Sequence, residues 1–259
     1  NDVSEYTFTG KFKGAQESLD HYDRVYIIDL DLTPEQIKLA DKPNVVVVDA
    51  HKNHARHKQL YSKAKTILDD SYYSCVDLML DKFSKHLQHL TDKQKELLKY
   101  ISTYDWYNTK HKESLKLNAI YYNLNSPKTE KFIAAFIDGY REFTIHEKNA
   151  IKLYFKKFKD QIDTGEVFTG MIKDYSVVAT FANYAINELA HFLINKYNTD
   201  ISIIVNTQAK TVSFRRSKDS NIDVSILATK LCKGGGHASA AGGKLTEQFA
   251  NLTKTFVPC

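Results

Sequence analysis

Two short runs of consecutive apolar residues near the start of the chain predict buried strands, and each run ends on an acidic residue. The run VYII is followed by Asp29, and the run VVVV is followed by Asp49. Between them, Thr33 and Pro34 have the pattern of a helix start, with a capping residue and then a proline in the first turn. Two strands joined by a helix are typical of a βαβ unit, so the pattern predicts a parallel sheet.

In the rest of the chain, the spacing of apolar residues distinguishes predicted helices from predicted strands. Apolar residues recur every three or four positions through YYSCVDLMLDKFSKHL and KQKELLKYISTYDW, which predicts helices packed on the sheet and places a third acid, Asp105, near a helix end. Residues 127–161 are helical in pattern and strongly basic, and DTGEVFTG then resembles a flexible exit. Further on, DYSVVATF, ISIIVNT and KTVSFRR predict strands, and YAINELAHFLINKY predicts an amphipathic helix.

These elements predict an α/β protein with two domains. We expect a larger, doubly wound domain with a parallel sheet over residues 1–125, incomplete at its amino terminus. A helical connector is expected over residues 126–168, and a smaller α/β domain over residues 169–259.

One segment of the second domain is rich in glycine. The segment KGGGHASAAGG holds five of the ten glycines of the chain. It is either a plain flexible loop or a site where backbone N–H groups approach an anion, with Lys233 and His237 adding charge. Upstream, strand alternation should turn Arg215 and Arg216 to opposite faces, and a guanidinium pairs well with phosphate.

Composition narrows the class of protein. Hydrophobic residues make up 42% of the 259 residues, enough for real cores, and the longest aliphatic run is VVVV, far short of the roughly 20 apolar residues that a membrane helix needs. A formal charge of +5 favours anionic partners. Three scattered cysteines do not form a disulfide framework or a CxxC pair, so we expect a reducing, cytoplasmic location.

The three acids at element ends suggest a metal site. In open α/β sheets, ligands bind beyond the carboxyl ends of the strands, and hard divalent cations prefer carboxylate oxygens. Any one of these acids can equally be a helix cap or a turn residue. The stretch DAHKNHARH adds His51, which has an imidazole that can bind Mn or Zn, whereas His54 and His57 can equally belong to a basic surface turn.

With these motifs in order, the chain resembles the DHH/DHHA1 phosphoesterases, the group that includes RecJ-type exonucleases, nanoRNases and cyclic-dinucleotide phosphodiesterases. The resemblance rests on VYIIDL, VVVVDAHK, SCVDLMLD, STYDW and SFRRSKDSNIDVSILATKLCKGGGHASAAGG, which together span nearly the whole chain.

The resemblance implies a site with two metal ions, usually Mn²⁺, with Mg²⁺ or Co²⁺ as alternatives. Asp29 would bridge the metals, Asp105 would bind one of them, and His51 beside Asp49 would contact the scissile phosphate. In the second domain, the resemblance implies a substrate-binding set, which consists of Arg216, Ser217, Gly234, Gly235, Gly236 and His237.

Two features depart from the family pattern. Ala50 stands where the family has the middle His of DHH, so a metal ligand is missing. The family's amino-terminal HxDxD motif is also not visible, with Asn1 and Asp2 as a candidate remnant, so we expect further ligands upstream of Asn1.

The resemblance therefore implies a metal-dependent phosphodiesterase that hydrolyses short RNA or DNA oligonucleotides or dinucleotides to mononucleotides and is impaired by Ala50. The alternatives are a nucleotide-binding protein without catalysis, which acts as a sponge or sensor, and a RecJ-like single-strand exonuclease. No membrane partner is expected, and a homodimer stays open. Tyr104, Trp106 and Tyr107 beside Asp105 are either core residues or a base-stacking surface.

Overall fold

A computed structural model describes residues 19–30, 32–51, 54–55, 57–105 and 111–258. The chain divides into two compact units, Asn1–Thr144 and Ile145–Cys259. The division falls inside the predicted connector, whose limits stay a prediction. The two units are described separately below.

The amino-terminal unit contains a parallel sheet of three described strands in the order β1-β2-β3: β1 Val25–Ile28, β2 Val45–Asp49 and β3 Lys65–Leu68. Helix α1, Pro34–Ala40, joins β1 to β2, and Val25 pairs with Val45 in register. The predicted βαβ unit is therefore confirmed.

Local chemistry explains where α1 begins. The Thr33 hydroxyl accepts the N–H of Gln36 at 3.3 Å, while the Gln36 side chain accepts the N–H of Thr33 at 2.9 Å. This capping box satisfies two backbone donors that a helix start leaves without partners. Pro34 follows at the first helical position, as predicted.

Each face of this sheet has its own core. Ile27, Val45 and Val47 pack with Ile37 of α1 on one face. On the other face, Val46 and Val48 pack with residues of helix α2, Cys75–Lys82. Helices on both faces explain why β2 is apolar at every position before Asp49, and they confirm the doubly wound α/β class.

Further α-helices among the described residues of this unit are α3 Asp92–Asp105, α4 Lys112–Asn123 and α5 Lys128–Phe136. Helix α2 is shorter than the periodicity predicts, because the chain after Lys82 turns repeatedly, with His86 donating its N–H to the carbonyl of Phe83 at 2.8 Å.

The second unit begins with helix α6, Ile145–Thr164, and contains a seven-stranded mixed sheet in the order β10-β4-β5-β6-β7-β9-β8. Within this sheet, β5 and β6 pair in parallel, and the other described strand pairs are antiparallel. The strand bounds are β4 Val167–Ile172, β5 Tyr175–Phe181, β6 Ile201–Asn206, β7 Thr211–Arg216, β8 Gly235–Gly236, β9 Ala240–Lys244 and β10 Val257–Pro258.

Helices cover both faces of the second sheet. Helix α7, Ile186–Tyr197, packs on one face, while α8, Val224–Cys232, and α9, Glu247–Thr253, pack on the other. The predicted strands and the amphipathic helix are confirmed. The expectation of a flexible exit at DTGEVFTG is wrong, because Val167 onward forms β4 and pairs with β5 despite its glycines.

No helix in the described ranges is long and apolar enough to cross a bilayer.

Candidate functional site

Asp29 and Asp49 lie together at the carboxyl edge of the parallel sheet. Asp49 is the last residue of β2 and is buried, whereas Asp29 directly follows β1 and its side chain is 51% exposed. Asp29 has a left-handed backbone, with φ of 56°, and its N–H donates to the carbonyl of Val48 at 3.0 Å. A non-glycine residue in this region costs free energy, so the adjoining strand holds Asp29 in a strained conformation.

The Asp49 carboxylate has a histidine on each oxygen. Oδ1 lies 2.5 Å from Nδ1 of His51, and Oδ2 lies 2.6 Å from Nδ1 of His54. The backbone N–H of His51 also donates to Oδ1 at 3.2 Å. Burial alone would raise the pKa of Asp49, but hydrogen bonds from His51 and His54 outweigh it and hold the pKa well below its usual range. Asp49 is therefore ionised at neutral pH.

His51 connects the two acids. Its Nδ1 lies 3.8 Å from Oδ1 of Asp29, and Asp29, Asp49 and His51 offer three ligand atoms within 4.8 Å of one another. Two carboxylates and an imidazole are a donor set that Mn²⁺ and similar divalent ions accept.

Asp105 ends α3 near these residues. Desolvation and then the negative charge of Asp29 raise the pKa of Asp105 to about 6, while His51 acts in the opposite direction. Burial is the largest of these causes, although part of the residue still reaches solvent. Carboxylates crowded in this way are stabilised by a cation between them.

The thiol of Cys75 lies beside the same acids. Burial, followed by the charges of Asp29 and Asp49, raises the pKa of Cys75 to about 12, and Asp105 contributes in the same direction. The thiol donates to the carbonyl of Val48 at 3.5 Å. The structure thus brings Asp29 and Asp49 together at one edge of the sheet, and Asp105 lies within electrostatic range of Asp29 but outside the group of closely spaced ligand atoms.

Ala50 and His54 complete this region. The Ala50 side chain packs against the apolar cluster of Val46, Val48 and Leu78 and offers no donor. The alternative of a surface turn is wrong for His54, which is 0% exposed and has a partner on each ring nitrogen. Sequence reasoning missed this role, although a His five residues after a strand-end Asp was a signal.

The glycine segment in the second unit is a hairpin and not a plain loop. Strands β8 and β9 pair in antiparallel register, and His237 and Ala240 exchange backbone hydrogen bonds at 2.8 and 3.2 Å across the tip. Lys233, with a left-handed φ of 49°, ends α8 just before it.

Most of these glycines are required by close backbone approach. A Cβ on Gly234 would lie 2.0 Å from the Gly242 carbonyl oxygen, and one on Gly243 would lie 2.6 Å from the Cys232 carbonyl oxygen. Gly236 has a φ of 139°. Gly235 differs, because its Cβ would meet nothing within 4 Å. Packing therefore explains the other glycines but leaves Gly235 beside open space.

The hairpin tip is tied to the end of β7. The N–H of Arg216 donates to the carbonyl of Ser239 at 3.1 Å, which places Arg216 next to the tip residues after His237. Nη1 of Arg216 donates to the carbonyl of Ser220, and its Nε is buried without a hydrogen-bond partner in the described part of the chain. The hydroxyl of Ser217 accepts the N–H of Ser220 at 3.1 Å.

Arg215 turns to the other face of the sheet, as strand alternation predicts. Its Nε donates to Oδ1 of Asn187 on α7 at 3.0 Å. The predicted substrate set thus lies at the end of β7 and in the neighbouring hairpin. Four residues named from the sequence lie outside the described ranges: Asn1, Asp2, Trp106 and Tyr107. Tyr104 is described and is half-buried.

Residues 174–257 match the family model of the DHHA1 domain. This part of the chain is a DHHA1 domain. The match includes β7, α8 and the glycine hairpin, so it confirms the resemblance seen in SFRRSKDSNIDVSILATKLCKGGGHASAAGG.

Solved structures resemble the DHHA1 domain together with the amino-terminal unit. An exopolyphosphatase-related protein from Bacteroides fragilis is 15% identical, with a TM-score of 0.54 over 93% of this chain and 72% of its own. A pGpG-specific phosphodiesterase from Vibrio cholerae is 13% identical, with a TM-score of 0.50 over 86% of each chain. These similarities show a shared fold. No curated protein matches the sequence.

Proposed function

We propose that this protein is a metal-dependent phosphodiesterase that hydrolyses dinucleotides or short oligonucleotides. The observation that carries the proposal is the group of Asp29, Asp49 and His51, whose ligand atoms lie within 4.8 Å of one another at the carboxyl edge of a parallel sheet. The DHHA1 domain and the fold shared with a pGpG-specific phosphodiesterase support a phosphate-containing substrate.

The donor set fits a divalent cation, and we propose Mn²⁺. Asp29 and Asp49 supply carboxylate oxygens, His51 supplies an imidazole, and Asp105 is close enough for Asp29 to raise its pKa. A bound ion of this kind lowers the pKa of a coordinated water and stabilises charge on a phosphate. Among the described residues the set fits one cation better than two, because Ala50 adds no donor.

The residues of the chain have distinct roles in this proposal. Asp49 stays ionised, because two histidines hydrogen-bond to its carboxylate. The strand-end geometry keeps Asp29 at the exposed rim of the site, where it would hold a bound ion while still reaching solvent. His51, whose side chain is 25% exposed, faces Asp29 and bonds to Asp49, so its imidazole would complete the donor set between the two acids.

In the DHHA1 domain, an anion would bind beside the glycine hairpin. Gly235 leaves open space over the backbone, and the Arg216 Nε is a buried donor with no partner within the described ranges. A buried guanidinium donor without a partner is costly unless an acceptor arrives. We propose that Arg216, Gly235 and His237 hold a phosphate or base of the substrate.

A second candidate function is nucleotide binding without catalysis. It is favoured by Ala50, because the side chain of Ala50 packs against the apolar cluster that contains Val46 and Val48 and adds no metal ligand to the acids. In this second function the DHHA1 domain would still bind the nucleotide, whereas the amino-terminal unit would not hydrolyse it.

A cleavage assay distinguishes the two functions. The unaltered chain and Ala50→His would be incubated with Mn²⁺ and with 5′-labelled pGpG or RNAs of two to five nucleotides. We expect slow Mn²⁺-dependent release of mononucleotides by the unaltered chain and faster release by Ala50→His. Asp29→Asn should abolish the release of mononucleotides. The control Asp81→Asn, which changes an exposed acid outside the site, should leave that release unchanged.

The other outcomes are equally clear. Binding of labelled pGpG by both proteins without any cleavage would contradict hydrolysis and support the non-catalytic function. Absence of both binding and cleavage would refute both candidates. Thermal unfolding of Ala50→His checks that the larger side chain has not disrupted the apolar cluster.

A further inference from the structure

The two oxygens of the Asp49 carboxylate have separate partners. Oδ1 faces His51, and Oδ2 is held at 2.6 Å by Nδ1 of the buried His54. A carboxylate held at one oxygen cannot rotate freely about its terminal torsion. The contact with His54 at Oδ2, together with the two contacts of His51 at Oδ1, therefore fixes the orientation of the carboxylate.

Each ring nitrogen of His54 has one hydrogen-bond partner. An ionised carboxylate only accepts hydrogen bonds, so Nδ1 of His54 carries a hydrogen. Its Nε2 lies 2.6 Å from the hydroxyl of Tyr61, which donates to it when the imidazole is neutral. Both ring nitrogens are thus occupied, and His54 is not free to replace the ligand missing at Ala50.

Tyr61, which contacts Nε2 of His54, is itself held in place by its surroundings. Its side chain packs against the core between α1 and the sheet. The next residues are held by Asp41 at the end of α1, whose Oδ1 accepts the N–H of Lys63 at 2.7 Å and of Ala64 at 2.8 Å. Tyr61 is therefore a fixed support for His54.

We propose that His54, supported by Tyr61, is a positioning residue that orients the Asp49 carboxylate toward the cation site. The proposal rests on the proposed function, because it assigns the cation to Asp29, Asp49 and His51. Partners that orient metal ligands typically change metal affinity by 10–100-fold when they are removed.

Three variants of the full chain test the proposal by Mn²⁺ titration calorimetry. His54→Leu removes both contacts, and we expect Mn²⁺ to bind about 10–100-fold more weakly. His54→Asn keeps an amide donor near the position of Nδ1 and should recover most of the affinity. Tyr61→Phe leaves Nδ1 in place but loosens the ring, so an intermediate loss is expected.

A second measurement without metal separates this proposal from the proposed function. The side-chain ¹⁵N signals of His51 report its bond to Asp49 in the metal-free protein. They should shift in His54→Leu and stay close to wild type in His54→Asn. Thermal unfolding shows whether each variant is folded, and His54→Asn keeps the test decisive if His54→Leu does not fold.

Each outcome has a separate meaning. If the wild-type protein binds no Mn²⁺, the proposed function fails, and the His51 signals alone decide the role of His54. If Mn²⁺ binds to wild type and His54→Leu equally, or if the His51 signals do not change, the positioning role is overturned. Equal losses in His54→Leu and His54→Asn would also overturn it, because the retained donor should restore the affinity.

Discussion

The glycine hairpin offers a matched pair of substitutions at adjacent positions. In Gly234→Ala, the new methyl carbon would lie 2.0 Å from the Gly242 carbonyl oxygen and 2.5 Å from the Gly243 Cα, both backbone atoms. In Gly235→Ala, the methyl carbon would meet nothing within 4 Å. Ordinary contacts begin at about 3.4 Å, so Gly234→Ala forces α8 and β9 apart, whereas Gly235→Ala does not.

The expected effects follow from this difference. Overpacking against atoms that cannot rotate away costs about 3 kcal/mol, the upper end of the usual range, so the unfolding temperature should fall by roughly 6–12 °C. Gly235→Ala should remain within about 0.5 kcal/mol of wild type. Calorimetric scans of the full chain measure both. Equal stability of Gly234→Ala and wild type, or equal destabilisation of both variants, would refute the packing explanation.

Two further predictions concern charge. Asp41 accepts the hydroxyl of Ser62 and the backbone N–H groups of Ser62, Lys63 and Ala64, and these bonds outweigh burial and hold its pKa well below the usual range. Asp41→Asn should therefore lose about 1–3 kcal/mol in urea unfolding at pH 7. Because the folded pKa is depressed, this loss should shrink below the unfolded pKa of 3.8, and a constant loss down to pH 2 would contradict the assignment. Burial, with repulsion from Arg215 and Lys218, lowers the pKa of His191 from 6.5 to about 4. Between these values the unfolded chain binds a proton that the folded chain does not, so stability should fall as the pH drops from 6.5 to 4, by on the order of 2–3 kcal/mol. Urea unfolding of His191→Gln should lack this decrease, and an unchanged pH dependence would show that another group causes it.

Local patterns were enough to predict the positions of the acids. The runs that end at Asp29 and Asp49 are short and apolar, which is typical of strands buried on both faces, and the structure has both strands. Thr33 and Pro34 specified the helix between them through a capping box that needs only neighbouring residues. The parallel sheet and the meeting of its acids followed from these elements.

Features that depend on distant contacts could not be predicted in the same way. A sequence does not show whether a polar side chain after a strand turns inward, so His54 resembled a surface residue although it is buried against Asp49. Gly234 and Gly243 are required by contacts between the end of α8 and β9. The glycine-containing strand β4 is stabilised by pairing with β5, and its local pattern alone favoured a loop.

The location of a bound Mn²⁺ ion tests the central claim most directly. Substoichiometric Mn²⁺, added to the ¹⁵N-labelled full chain, broadens the NMR signals of nearby nuclei. The account predicts that the signals of Asp29, Asp49 and His51 broaden first, and that Asp29→Asn greatly weakens this effect. Broadening centred elsewhere, or none at all with the unaltered chain, would contradict the account.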